Sequence, residues 1–162
     1  MPVDSREFRR VMSNFATGVT VLTTRTADGV MHGMTANAVT SVSLDPPLVL
    51  VCVDRGARTH RYIEESRAFA LNILSEDQRH LSERFARRDA EGPSLWVDLS
   101  LRPGATGSPV ILDTIAYVDC RLFAAYPGGD HTIFVGEVVD LGVLSDEPPL
   151  LFFRSGYTGV AT

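Results

Sequence analysis

The stretch from residue 32 to residue 53, HGMTANAVTSVSLDPPLVLVCV, constrains this chain more than any other. Its second half, Leu48 to Val53, has the length and apolar content of a buried strand. Asp45-Pro46-Pro47 fixes where that strand can begin, because proline lacks the N–H that a ladder needs. The first half is small and polar. Val39, Val42 and Leu44 can face a core, whereas Thr35, Asn37, Thr40, Ser41 and Ser43 place hydroxyls and an amide close together. Small side chains let a ligand approach the backbone, and polar atoms fix its orientation. Two readings stand side by side: a polar edge strand ending in a turn, or one wall of a ligand site.

The 162 residues suit a single domain spanning 1–162. With 44% hydrophobic and 22% charged residues, the chain can bury a sizeable core. A net charge of −5 disfavours a nucleic-acid binder. All 15 basic residues are arginine, so a phosphate clamp must use Arg, hydroxyls or backbone N–H groups. Cys52 and Cys120 sit in apolar, strand-like runs and read as buried free thiols rather than a disulfide. Two isolated cysteines and four scattered histidines offer no metal-ligand spacing, so no metal is expected. The N-terminal MPVDSREFRRVM lacks an apolar signal core, and no apolar run is long enough to cross a bilayer. The expectation is a soluble cytoplasmic protein with no membrane association.

Residues 4 to 16 predict a short amphipathic helix, capped by Asp4 or Ser5, with Phe8, Val11, Met12 and Phe15 at helical spacing. Val19 to Thr24 alternates with period two and reads as a strand, and Asp28-Gly29 as a hairpin turn. A Gly-containing turn after Val53 leads into a helix over 59–66. There Arg58, Thr59 and free N–H groups form either an anion site or an ordinary helix start. Residues 68–74 predict a strand, and Ser75 with Gln78 forms a capping box for a helix reaching about Arg87. The segment 89–109 reads as a long irregular loop around Trp96. Strands follow at 110–112, 115–126, 131–144 and 150–153, with Gly136 allowing a bulge. About seven strands against three helices, joined mostly by tight turns, predict antiparallel pairing and a closed barrel that removes sheet edges.

The chemistry-bearing motifs are few. No nucleophile elbow, P-loop or Rossmann glycine fingerprint is present. Gly129-Asp130-His131 stands at a hairpin between two long strands. It is either a turn in which Asp caps backbone N–H groups or an imidazole placed to polarise a ligand.

Taken in order, several segments resemble the short-chain flavin reductase family, the reductase components of two-component flavin-dependent monooxygenases. They are TGVTV at 17–21, HGMTAN at 32–37, SVSLDPPL at 41–48, ART at 57–59, NILSEDQ at 72–78, RFA at 84–86, GDH at 129–131 and GYTG at 156–159. The resemblance covers nearly the whole chain. It implies a mainly β fold, a closed antiparallel split barrel of the FMN-binding type with a few flanking helices, working as a homodimer. It implies FMN or FAD reduced by NADH or NADPH, hydride passing from nicotinamide C4 to flavin N5. Reduced flavin then leaves for a partner monooxygenase. By similarity Thr35, Ala36, Asn37 and Ala38 lie along the flavin ring, and Ser41, Val42 and Ser43 belong to the same wall. Arg58 and Thr59 approach the phosphate, and Phe85 with Arg88 lies where the next helix meets the cofactor. Gly129, Asp130, His131 and Tyr157 match nicotinamide-nucleotide contacts, with His131 the one candidate catalytic group. One segment departs from the pattern: after Arg88 the chain reads DAEGPSLW, without the Lys-Phe element of many relatives. The alternatives are a flavoprotein that retains FMN and reduces another substrate, and a flavin-binding protein that is not an enzyme.

Overall fold

The computed structural model describes residues 1–161. Helix α1 (Ser5–Met12) is capped by Asp4, whose carboxylate accepts from Arg6 N at 2.7 Å. Strand β1 (Thr17–Gly18) is short; β2 (Thr20–Arg25) and β3 (Met31–Ala36) form the expected hairpin. Its turn uses Gly29 at φ +87°, a left-handed conformation that glycine adopts without steric cost. Strands β4 (Val39–Leu44) and β5 (Pro47–Asp54) pair around the Asp45–Pro46 turn. Then come α2 (Arg58–Ser66), β6 (Ala68–Ile73), a 3-10 turn at Glu76–Gln78 and α3 (Arg79–Ala86). The Ser75–Gln78 capping box forms as expected. The long strands β9 (Ala116–Gly128) and β10 (His131–Val143) pair along their whole length, with a register shift at Val135/Gly136.

The 89–109 segment is more ordered than its sequence suggests. It holds a 3-10 turn at Pro93–Leu95 and strand β7 (Leu101–Pro103), which pairs with β8 (Pro109–Ile111). Leu95 and Trp96 are buried, and Arg84 grips Asp98 with two hydrogen bonds of 2.7 and 3.0 Å. A second small sheet joins β1 to β11 (Leu151–Phe153) and β12 (Gly156–Thr158). Strands of two or three residues are too short to carry a period, and β1, β7 and β12 go unread in the sequence.

The main sheet has seven antiparallel strands in the order β3-β2-β6-β9-β10-β5-β4. The fold is mainly β with three α-helices, as expected. The closed barrel is corrected: the hydrogen-bonded ladder is open, with β3 and β4 at its two edges. These edges follow one another along the chain. Asn37-Ala38 links them along the chain, yet no ladder forms between them. The carbonyl of Ala38 accepts from Cys52 N of β5 at 3.0 Å, extending the β4–β5 pairing by one bond.

Burial is two-sided at the centre of the sheet. Val21 faces one hydrophobic cluster, with Leu81, Phe85, Trp96 and Ile111; Leu22 faces another, with Ile63, Phe69, Phe134 and Cys120. Successive side chains point to opposite faces, so α3 covers one side of β2 and α2 the other. Asn72 is fully buried and satisfied: its amide donates to Val21 O, and its oxygen accepts from Ile111 N at 2.9 Å.

Cys52 and Cys120 are free thiols, and burial pushes the Cys120 pKa up to about 12. Among the described residues no cluster of His, Cys, Asp and Glu could hold a metal ion. Among them, too, no helix is long and apolar enough to cross a membrane.

Candidate functional site

A groove of about 740 Å³ runs beside the edge strand β3. That lies in the range of sites that hold nucleotide-sized ligands, about 300–1,000 Å³. One wall is β3 itself, contributing Gly33, Met34, Thr35 and then Asn37. A second is the turn Asp54 to Ala57 with the first residues of α2, Arg58 and Thr59. The third is α3 and the segment after it, with Ser82, Phe85, Arg88 and Ala90. Phe152 and Tyr157 of the last sheet close the remaining side.

Local chemistry explains each wall. At Gly33 a Cβ would stand 2.9 Å from the Phe85 ring and 3.1 Å from Trp96, so α3 can approach β3 this closely only over a bare backbone. Phe85 and Trp96 pack at 5.1 Å between ring centres. Thr35 Oγ1 donates to Ser82 O at 2.6 Å, tying β3 to α3. The Ser82 and Tyr157 hydroxyls share a hydrogen bond of 2.7 Å, which ties α3 to β12. Asn37 Nδ2 donates to Thr17 Oγ1 at 3.2 Å.

The α2 end is electropositive. Ala57 gives the helix no side-chain cap, and its first turn carries no acidic residue. Apart from His60 N, which donates to Ala57 O at 3.1 Å, the first-turn N–H groups are available to an anion, and the helix dipole favours one there. Asp54, the one carboxylate in that turn, is engaged: its Oδ1 accepts from Gly56 N at 2.7 Å. Arg58 reaches across the groove mouth, donating to Glu91 Oε2 and to Arg88 O, each at 2.5 Å.

Of the residues expected from the sequence, the fold brings Thr35, Asn37, Arg58, Thr59, Phe85, Arg88 and Tyr157 together around this groove. It does not bring the others there. Ala36 is buried in the cluster beneath the sheet because it alternates with Thr35. Ala38 lies exposed past the end of β3, and Ser41, Val42 and Ser43 run along β4 outside the groove. Gly129, Asp130 and His131 form the exposed β9–β10 turn, beside the groove rather than within it. Arg55 N donates to Asp130 O at 3.0 Å, and His131 pairs with Asp54. His131 Nδ1 and Asp130 Oδ1 share a hydrogen bond of 2.7 Å that lowers the Asp130 pKa. Sequence reasoning missed Gly33 as a packing site, and missed Asp54, Gly56 and Ser82. Ser82 carries no local signal at all, since only tertiary packing brings it to Thr35 and Tyr157.

The family model described as a flavin reductase like domain matches residues 12–161. The chain belongs to the flavin reductase-like family. A reductase subunit of a flavin-dependent monooxygenase from Rhodococcus jostii is 39% identical over 158 residues, covering 98% of this chain and 79% of that one. An NADH-dependent FMN reductase from Agrobacterium fabrum is 42% identical over 156 residues, covering 96% and 86%. Among solved structures, an NADH:FAD oxidoreductase from Streptomyces globisporus, in complex with NAD and FAD fragments, is similar with a TM-score of 0.89. It is 34% identical and covers 99% of this chain and 97% of that one. These relatives use both FMN and FAD, so family membership leaves the choice of flavin open.

The residues fit a flavin nucleotide. An uncapped helix start and an arginine suit its phosphate, and the side-chain-free edge at Gly33 with the Thr35 and Asn37 polar groups suits a flat heteroaromatic ring.

Proposed function

We propose that this chain is an NADH-dependent flavin reductase, one domain over residues 1–162, that supplies reduced flavin to a partner flavin-dependent monooxygenase. The observation that carries this reading is the uncapped start of α2 facing the Gly33–Asn37 edge across one groove. When bound, the nicotinamide and the flavin supply the hydride transfer themselves, from C4 to N5. The protein's work is to bind, orient and exclude water. Arg58, with the N–H groups at Thr59, holds the phosphate. Thr35 and Asn37 offer polar atoms, and Ala36 and Ala38 backbone groups, along the ring edge, while Ser41, Val42 and Ser43 continue the chain outside the groove. Phe85 of α3 and Arg88 just after it cover the ring. Tyr157 and the Gly129–Asp130–His131 turn orient the dinucleotide, His131 through its imidazole. No side-chain nucleophile is required.

The finer points of the fold follow the same reading. The split barrel stays open along its ladder, with Asn37-Ala38 linking its two edge strands. A homodimer is supported by the exposed apolar face of α1, where Phe8, Val11, Met12 and Phe15 touch no core.

The test is steady-state oxidation of NADH and NADPH with FMN, FAD and riboflavin in turn. The expected result is NADH consumption that saturates with free FMN or FAD. Tight flavin binding without NADH oxidation would overturn it and favour a flavin carrier.

A further inference from the structure

We infer that Glu91 is a specificity-determining residue: its carboxylate competes with the ligand's phosphate for Arg58 and so weakens phosphorylated flavins relative to riboflavin. This rests on the flavin reading above and goes beyond it to the question of transit against residence. Arg58 is the arginine at the start of α2, and two of its N–H donors are already spent. Nη1 donates to Glu91 Oε2 and Nη2 to Arg88 O, each at 2.5 Å. Both partners lie on the 88–91 segment, which forms the opposite lip of the groove through Arg88 and Ala90. This segment reads Asp89-Ala90-Glu91-Gly92. Arg58 and Glu91 are each about half exposed, so the pair can open without unfolding anything.

The competition is electrostatic. A phosphate arriving at the uncapped α2 start meets an arginine whose charge is already offset by a carboxylate. It must displace Glu91 or share the guanidinium with it, and two anions around one guanidinium repel. Riboflavin has no phosphate and is indifferent to the pair. A reductase that hands its product to another protein has to let it go. An internal carboxylate that re-occupies Arg58 as the phosphate leaves serves that release.

The experiment measures dissociation constants for riboflavin, FMN and FAD by quenching of flavin fluorescence, on the wild type, Glu91→Gln, Arg58→Met and the double variant. Glu91→Gln keeps the side-chain length and removes the charge. It is expected to tighten FMN and FAD about fivefold, the scale of a half-exposed ion pair, and to leave riboflavin unchanged. It should slow FMN release by a similar factor in stopped-flow dilution. In the Arg58→Met background the Glu91→Gln effect should vanish, because the carboxylate acts through that guanidinium. An unchanged FMN-to-riboflavin ratio in Glu91→Gln, or the same gain with Arg58 absent, overturns this inference while leaving the reductase reading intact. A wild-type chain that binds none of the three flavins overturns both.

Discussion

His32 stacks on Tyr62 with ring centres 3.5 Å apart, and that contact makes it the titrating residue to watch. Burial lowers its pKa; Glu91, Asp28 and Glu65 pull the other way, and Arg61 adds to the lowering. The unfolded chain takes up its proton near pH 6.5, the folded chain at a lower pH. Between those two values the unfolded state binds more protons, so stability rises with pH there. The contribution is complete above the unfolded value and is lost as pH falls through the folded one. His32→Phe keeps a ring on Tyr62 and removes the titration. Its thermal midpoint should vary less between pH 7 and pH 5 than that of the wild type; parallel curves would refute the assignment. At this scale the sequence was unevenly legible. Thr35, Asn37, Arg58 and Tyr157 could be picked out because they stand in recognisable segments. The hydrogen bonds that seat them go to Ser82, Thr17 and Glu91, distant in sequence and joined to them by no spacing rule.

The approach of α3 to β3 is set by one missing side chain. A methyl group at Gly33 would meet the Phe85 ring at 2.9 Å, and Phe85 is itself packed on Trp96. Gly33→Ala should therefore cost about 1–3 kcal/mol by overpacking. That corresponds to a midpoint lower by about 2–4 °C per kcal/mol for a chain of this size. Calorimetry and a flavin titration on the same sample test it, with weaker binding expected as the helix is pushed from the strand. A variant with wild-type midpoint and affinity would show that the helix has room to yield. Helices and long strands were readable from period and turn residues: the capping box at Ser75, the hairpin at Asp28-Gly29 and the bulge at Gly136 all form. The order inside 89–109 was not, because Leu95 and Trp96 are held by contacts with α3 and β3 rather than by local propensity.

Across the whole molecule, the apolar side chains of α1 and the turn after it stand open among the described residues: Phe8 is 59% and Phe15 71% exposed. Backbone and side-chain bonds from Arg154 to Ser13 and Asn14 fix the segment behind it to the last sheet, so the helix is presented rather than loose. Light scattering on a sizing column should give about twice the 17.7 kDa chain mass, and Phe8→Asp with Phe15→Asp should shift it toward one. A monomeric wild type would refute the homodimer. Antiparallel pairing was readable from the tight turns, whereas closure was not. Whether the edges of a curled sheet exchange hydrogen bonds depends on geometry at Asn37-Ala38 that no pattern encodes. The groove has a further consequence. Its walls at Val19, Asp54, Phe85 and Tyr157 come from stretches that meet only in the finished fold, so a fragment from one part of the chain cannot form it. Capture of a fluorescent dye thus doubles as an integrity gauge, dimming or brightening with the health of the entire polypeptide.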